Sequence, residues 1–247
     1  MKMKLIVIGL LAVAGLATAQ KPKSQKELEA VQAVISAQTP DAKIAAVDNL
    51  LSKFKDTEFK VLVLVMAGEA ARQKNDSARA IIYGNRALEA DPKNAHALLL
   101  VSGQLAQGTK EFDLDKDEKV KRATKLASDA LAAIPSAPKT NPQIPDEQWE
   151  NIKKEMSSQA HETLGMLASV DKKFDAAISE FKMAIEGSST PEPSAMVRLA
   201  ATYTNAKRYD EANAIVDKVL ALANVPESVK KFAQEEKQRV AKLKGGQ

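Results

Sequence analysis

The sequence predicts an all-α protein in which pairs of helices stack on one another to form a solenoid. Alanine, leucine, lysine and glutamate dominate the composition, and aromatic residues make up only 4% of the chain. These residue types favour helices over strands. A pattern of small residues also recurs about every 34 residues. Such a period is typical of stacked repeats rather than of one compact domain.

The recurring pattern is clearest in the last third of the chain. Ala177 and Ala212 lie 35 residues apart, and each stands three positions after an aromatic residue, Phe174 or Tyr209. Apolar residues follow each alanine at the fourth and seventh positions. This spacing places the small and apolar side chains on one face of a helix.

Prolines and further alanines extend the pattern toward the N-terminus. Ala46 lies 34 residues before Ala80. Pro92 follows Ala80 by twelve residues, and Pro135 follows Ala123 by the same distance. Proline cannot continue a helix, so it marks the end of the second helix of a unit. Each unit is therefore expected to contain two amphipathic helices that cross closely at small residues.

These residues resemble the tetratricopeptide repeat, a helix–turn–helix unit of 34 residues. The resemblance covers most of the chain after residue 20 and implies an α-solenoid of about five units. The predicted units are residues 27–60, 61–94, 95–137, 158–191 and 193–226. Residues 227–247 are predicted to form a capping helix and a short tail, because the end of a solenoid needs a polar outer face.

The predicted repeats contain two interruptions, of which the second divides them into an N-terminal group at 20–137 and a C-terminal group at 146–226. The third unit contains extra residues at 109–117. Three prolines between residues 138 and 145 predict an extended connector. Asp146 is predicted to cap a long helix that runs into the fourth unit, because apolar residues follow it at intervals of three or four.

The first 19 residues have the three parts of a secretory signal peptide. Lys2 and Lys4 precede an apolar run at 5–16, and small residues lead up to Ala19. The run is shorter than the roughly 20 apolar residues that a membrane-spanning helix needs, so an uncleaved anchor is the less favoured alternative. We expect cleavage after Ala19, a periplasmic or secreted location, and no membrane span in the mature chain.

Charge and composition exclude several function classes. The formal net charge is +4, and it falls to +2 when Lys2 and Lys4 are removed. Basic and acidic residues are interspersed, without the basic tract and interleaved aromatics that nucleic-acid binding favours. The absence of cysteine excludes disulfides, cysteine-based metal sites and thiol catalysis. The sequence also contains no glycine-rich phosphate loop, so no cofactor is expected.

Few residues suggest chemistry of their own. The acidic string at 113–117 resembles the start of a calcium loop, but Glu118 stands where that loop needs glycine and Thr124 where it needs glutamate. A solvated insertion is the favoured interpretation. His96 and His161 lie in different units and form no zinc-binding pair. We therefore predict no catalytic and no metal-binding residue, and expect that the chain is not an enzyme.

The resemblance to tetratricopeptide-repeat proteins implies that the first helix of each unit lines a concave groove for a protein or peptide partner. The residues at the corresponding positions are Leu62, Val65, Glu69, Arg72, His96, Leu99, Gly103, Glu162, Met166, Val197, Arg198, Ala201 and Asn205. Packing against neighbouring helices is the alternative role for each of them.

Some tetratricopeptide-repeat proteins hold the terminal carboxylate of a chaperone tail with lysines, asparagines and an arginine. Four corresponding positions here are Val65, Glu69, Leu100 and Gln159, and only Arg198 has the required type. The resemblance therefore does not extend to this carboxylate clamp. A groove of mixed apolar and charged character is better suited to an amphipathic helix or an extended peptide.

The sequence thus predicts a non-catalytic interaction scaffold or adaptor of the bacterial cell envelope. One alternative is a periplasmic chaperone for unfolded clients. A less favoured alternative is a hydrolase or lyase that acts on envelope polymers through acids such as Glu162.

Overall fold

The computed structural model describes residues 20–246 and contains eleven α-helices in that range. The predicted signal peptide lies outside the described residues. The helices are α1 (Gln25–Ser36), α2 (Pro40–Lys53), α3 (Lys60–Gln73), α4 (Ser77–Ala90), α5 (Ala95–Gly108), α6 (Lys116–Ala133), α7 (Asp146–Val170), α8 (Phe174–Gly187), α9 (Pro193–Asn205), α10 (Tyr209–Ala221) and α11 (Glu227–Lys244). Between residues 20 and 246, no helix is both long and apolar enough to cross a bilayer.

The helices form five successive pairs, from α1 with α2 to α9 with α10, and the single helix α11 follows. Each helix packs against the next one along the chain. This arrangement confirms the predicted α-solenoid of about five two-helix repeats with a closing helix.

The first helices of the pairs form the inner side of the solenoid. Helix α3 contacts α5, α5 contacts α7, α7 contacts α9, and α9 contacts α11. The second helices make their main contacts with the first helices on either side. Because the first helices lie closer to one another than the second helices do, the stack curves with the first helices on its concave face.

Three of the turns within the pairs have the same geometry. Asn75, Lys172 and Lys207 adopt the left-handed conformation, with φ of 58°, 57° and 62°. In each turn the next backbone N–H donates to the carbonyl five residues earlier, as Asp76 does to Ala71 at 3.0 Å. This is a common way to end a helix and reverse the chain. The third pair instead has the insertion between α5 and α6.

The small residues of the repeat pattern lie where helices cross. Ala80, Ala123, Ala177 and Ala212 are all completely buried. Ala46 is only partly buried, but it packs against the core of the first two repeats. A larger side chain at the four buried positions would hold the helices apart, so these alanines determine the spacing of the stack.

The insertion in the third pair is shorter than predicted. The irregular segment covers residues 109–115, and α6 begins at Lys116. The last two residues of the predicted insertion are therefore helical. Acidic Asp117 and Glu118 lie in the first turn of α6, where the positive end of the helix dipole favours them.

The predicted cap of the long helix α7 is wrong by one residue. Pro145 occupies the N-cap position, and Asp146 is the first residue of the helix, with no side-chain capping bond there. Asp146 instead forms an ion pair with Lys139 across the connector. The long helix itself is present over 25 residues.

Candidate functional site

The concave side of the solenoid carries the predicted groove residues, but the structure separates them into two groups. Leu62, Val65, Glu69, Arg72 and His96 lie on α3 and at the start of α5, and we call this group the N-terminal patch. The second group, on α7 and α9, is called the C-terminal patch and consists of Glu162, Met166, Val197, Arg198, Ala201 and Asn205. The remaining two predicted residues, Leu99 and Gly103, lie between the groups on α5.

Leu99 and Gly103 are buried, so the prediction that they line a groove is wrong. Eleven of the fourteen residues of α5 are buried, because α3, α4, α6 and α7 all pack on this helix. Leu99 is in the same apolar cluster as Met156 and Ala160 of α7. A side chain at Gly103 would first meet the Thr163 hydroxyl oxygen, also on α7, at 3.9 Å. Helix α7 therefore covers the inner face of the third repeat.

The N-terminal patch combines half-buried apolar side chains with one ion pair. Leu62 and Val65 pack against the core of the first two repeats. Arg72 Nε donates to Glu69 Oε2 at 2.7 Å. Burial lowers the pKa of His96, and the nearby Glu69 carboxylate opposes that change. His96 is therefore neutral at physiological pH and contributes mainly as a packed side chain.

The C-terminal patch contains an ion pair that joins two repeats. Arg198 Nη1 of α9 donates to Glu162 Oε1 of α7 at 2.6 Å. The Glu162 side chain is 22% exposed and that of Arg198 is 41% exposed. Burial raises the pKa of Glu162, and it outweighs the Arg198 guanidinium, which lowers that pKa. The pair therefore lies at the boundary between protein and solvent.

Apolar and polar side chains surround this ion pair. Met166, Val197 and Ala201 are all half-buried, so each presents apolar surface beside the charges. Ser169 and Thr202 lie 3.3 Å apart between their hydroxyl oxygens and join the same two helices. The patch thus offers apolar contacts next to groups that can donate and accept hydrogen bonds.

Helix α11 extends the C-terminal patch by side chains that the sequence interpretation did not include. Arg239 donates to the side-chain carbonyl of Asn205, and it lies 3.3 Å from Glu236. The sequence predicts a polar capping helix here, without an inner face. Its contact with α9 shows that it occupies the place of a sixth first helix. The apolar spacing of Val229, Ala233 and Val240 was the available signal for this role.

Comparison with known proteins identifies the repeat. A family model described as a tetratricopeptide repeat matches residues 62–94, which cover most of α3 and all of α4. A thermophilic tetratricopeptide-repeat protein from Thermus thermophilus superimposes with a TM-score of 0.57, at 17% identity over 86% of this chain and 97% of that one. The chain has the tetratricopeptide-repeat fold. The MamA protein is also similar, with a TM-score of 0.51 and 17% identity over 76% of this chain and 89% of that chain. No curated protein matches the sequence.

Several acidic groups on this fold pair with basic groups. Within residues 20–246, no three histidine or carboxylate side chains come together as a metal site would require. Asp113 of the acidic string accepts a hydrogen bond from the Lys110 backbone at 3.0 Å and lies 3.4 Å from Lys119 Nζ. His161, in the middle of α7, lies 2.8 Å from Glu180 of α8.

Proposed function

We propose that this chain is a non-catalytic scaffold or adaptor that binds a protein partner on the C-terminal patch. The observation that carries the proposal is the Glu162–Arg198 ion pair, which lies on two adjacent first helices among half-buried apolar side chains. Such a surface supplies apolar anchors together with charges that fix the orientation of a partner. The N-terminal patch is a second contact area, separated from the first by the inner face of α5 that α7 covers.

The chemistry of the patch favours an amphipathic helix or an extended peptide as the bound segment. Met166, Val197 and Ala201 would contact the apolar side of that segment. Glu162 and Arg198 would pair with a basic and an acidic group of the partner, or with its backbone. Peptide segments of this kind are commonly recognised in grooves between helices.

A blocking substitution tests this proposal. Ala201→Arg places a long charged side chain on the inner face of α9, whereas Ala214→Arg places the same side chain on an exposed position of α10. The wild-type chain and both variants are immobilised, and proteins captured from an envelope extract are quantified by mass spectrometry. We expect at least one captured protein to be retained by the Ala214 variant and lost about tenfold or more with the Ala201 variant. Equal capture by both variants would contradict the proposal.

The Ala201 variant and an additional Glu162→Gln variant separate the two alternative functions. A general chaperone for unfolded clients would suppress aggregation of several unrelated proteins, and no single captured protein would depend on Ala201. An envelope-polymer hydrolase would lose turnover with Glu162→Gln, because Glu162 is the acid whose pKa burial raises. If the chain is a scaffold, we expect neither aggregation suppression of several unrelated proteins nor turnover that depends on Glu162.

The envelope location is part of the proposal and has its own test. Its support is the signal-peptide pattern at residues 1–19. The chain is produced in its native host, its N-terminus is determined by mass spectrometry, and cell fractions are compared. We expect a new N-terminus at Gln20 and recovery in the periplasm or medium. An intact N-terminus on protein recovered from the cytoplasm would contradict it.

A further inference from the structure

The insertion between α5 and α6 displays two large apolar side chains to solvent. Phe112 is 89% exposed, and Leu114 is fully exposed. Single exposed apolar residues are ordinary on protein surfaces. Two such residues at the tip of one short loop, at the place where this repeat departs from the others, are not explained by the fold.

Polar contacts hold this loop in place. Asp113 lies between the two apolar residues, and its carboxylate accepts a hydrogen bond from the Lys110 N–H at 3.0 Å. Glu111 pairs with Lys172, in the turn of the next repeat, at 2.6 Å. The loop is therefore fixed to its neighbour while Phe112 and Leu114 point away from the protein. A preordered loop loses little conformational entropy when it binds.

Helix α11 carries a complementary surface at the C-terminal end of the described array. Phe232 is 61% exposed and Leu243 is 41% exposed. Residues 232, 239 and 243 are spaced by seven and four positions, so Phe232, Arg239 and Leu243 form one stripe along the helix. This stripe differs from the polar outer face that was expected for the closing helix.

The two surfaces have opposite charge. Residues 110–119 contain five acidic and three basic side chains. Helix α11 contains six basic and three acidic side chains. The loop is acidic and exposes two apolar residues. Helix α11 of the same chain is basic and also exposes two apolar residues, so the two surfaces are complementary. Opposite charges speed the encounter of two surfaces and fix their orientation.

We propose that copies of this chain associate head to tail, with the 109–115 loop of one copy bound to the α11 stripe of the next. The contact goes beyond the proposed scaffold function, because neither Phe112 and Leu114 nor Phe232 and Leu243 belong to the two concave patches. It joins different surfaces of the two copies, so it can repeat and produce a ring or a filament.

A complementation experiment tests the head-to-tail contact. The loop variant carries Phe112→Ser and Leu114→Ser, and the helix variant carries Phe232→Ser. The full chain and each variant are studied by sedimentation velocity over a concentration series. We expect the wild-type chain to form species larger than a dimer, and each variant alone to be monomeric. An equimolar mixture should form dimers only, because one intact loop and one intact helix surface remain.

A control substitution outside the proposed contact separates a specific effect from a general loss of exposed apolar surface. Ile82→Ser removes an apolar side chain that is 56% exposed on α4, and this variant should associate like the wild type. Circular dichroism melts recorded at dilutions where every chain is monomeric should coincide, because all the substituted side chains are exposed. A wild-type chain that is monomeric at every concentration would overturn the proposal. A helix variant that still self-associates would also overturn the proposal, since it would indicate contact between two loops.

Discussion

At Gly165 the helices α7 and α8 approach so closely that a side chain would not fit. A Cβ atom there would lie 2.9 Å from the ring of Phe181, which is itself buried. Gly68 and Gly84 have the same role against Leu100 and Val101, where the distance would be 2.4 Å. Small residues were the strongest signal in the sequence, because close helix crossings tolerate little else.

Substitution of Gly165 tests this interpretation at a single position. We expect Gly165→Ala to lower the free energy of unfolding by about 1–3 kcal/mol, because the buried Phe181 ring cannot move away without disturbing the core. Gly187→Ala is the matched control, since no atom lies within 4 Å of a Cβ at that helical position. The control should be neutral or stabilising by up to about 1 kcal/mol. Urea unfolding curves of the two variants should differ clearly, and equal midpoints would contradict the close crossing.

Tyr83 provides a prediction about pH. Its hydroxyl donates to Asp48 Oδ1 at 2.7 Å. Burial, together with the Asp48 hydrogen bond and charge, raises the pKa of Tyr83 to about 12. The phenol of an unfolded chain has a pKa of about 10. The neutral phenol is thus favoured by folding, so its stabilising contribution is present below pH 10 and is lost as the pH rises from about 10 to about 12.

Absorbance at the phenolate wavelength measures this titration. We expect a late ionisation near pH 12 in the folded chain, and its loss in Tyr83→Phe. Asp48→Asn should lower the pKa of Tyr83, because it removes the carboxylate charge. The wild-type and Tyr83→Phe titration curves are compared above pH 11. If the variant loses no late component relative to the wild type, Tyr83 ionises normally.

The sequence could not predict which groove residues α7 would cover. The positions of Leu99 and Gly103 follow the repeat pattern as well as those of Val65 and Glu69 do. Their burial depends on the path of α7 across α5, which involves residues more than 50 positions apart. A repeat pattern predicts contacts within a unit and between neighbouring units. It does not predict how an unusually long helix crosses the inner face of the preceding unit.

Among the helices, α7 departs most from a regular repeat. Its apolar stripe predicted one long helix, and this prediction is confirmed over residues 146–170. Trp149, in the first turn of this helix, is 5% exposed and therefore belongs to the packed interior. The helix also holds the connection between α8 and α9. Glu155 accepts hydrogen bonds from the Ser188 hydroxyl at 2.7 Å and from the Ser189 backbone N–H at 2.8 Å.

Removal of the Glu155 carboxylate should loosen this connection. Burial opposes ionisation of Glu155, but the hydrogen bonds from Ser189 and Ser188 outweigh it, so its pKa lies below the usual value. We expect Glu155→Ala to speed backbone hydrogen exchange at residues 188–190 by roughly three- to tenfold. Because the folded pKa is lowered, the effect should be largest above the unfolded pKa and should fade as the pH falls through the folded value.

Glu150→Ala is the matched control for that experiment. Glu150 lies on the same helix, and its side chain is 60% exposed and paired with Lys153 three residues on. Its removal should leave exchange at residues 188–190 unchanged. Equal protection of this segment in wild type and in the Glu155 variant would show that the carboxylate does not hold it.

Over the whole molecule, local patterns predicted the architecture well. The helix pairs, the closing helix and the positions of the two interruptions follow from apolar spacing, small residues and prolines. Two features did not follow. The inner role of α11 depends on its contact with α9, and the division of the concave face depends on α7. Both arise from packing between elements rather than from the pattern within one element.

The molecule therefore has four surfaces with three expected roles. The C-terminal patch is the proposed partner site, and the N-terminal patch is a second contact area. The loop at 109–115 and the stripe on α11 are proposed to join copies of the chain. Arg239 belongs both to the α11 stripe and to the edge of the C-terminal patch. Phe112, Leu114 and Phe232 belong to neither concave patch, so substitutions at these three positions leave both patches intact for testing.

Site-specific photo-crosslinking in intact cells tests the central claim most directly. A photoreactive amino acid is placed at Val197 in the C-terminal patch, and at Ser179 on the exposed side of α8 as the control. The account predicts an adduct from Val197 with a protein other than this chain, and no such adduct from Ser179. The absence of any adduct from Val197, or the same adducts from both positions, would contradict a partner site on the concave face.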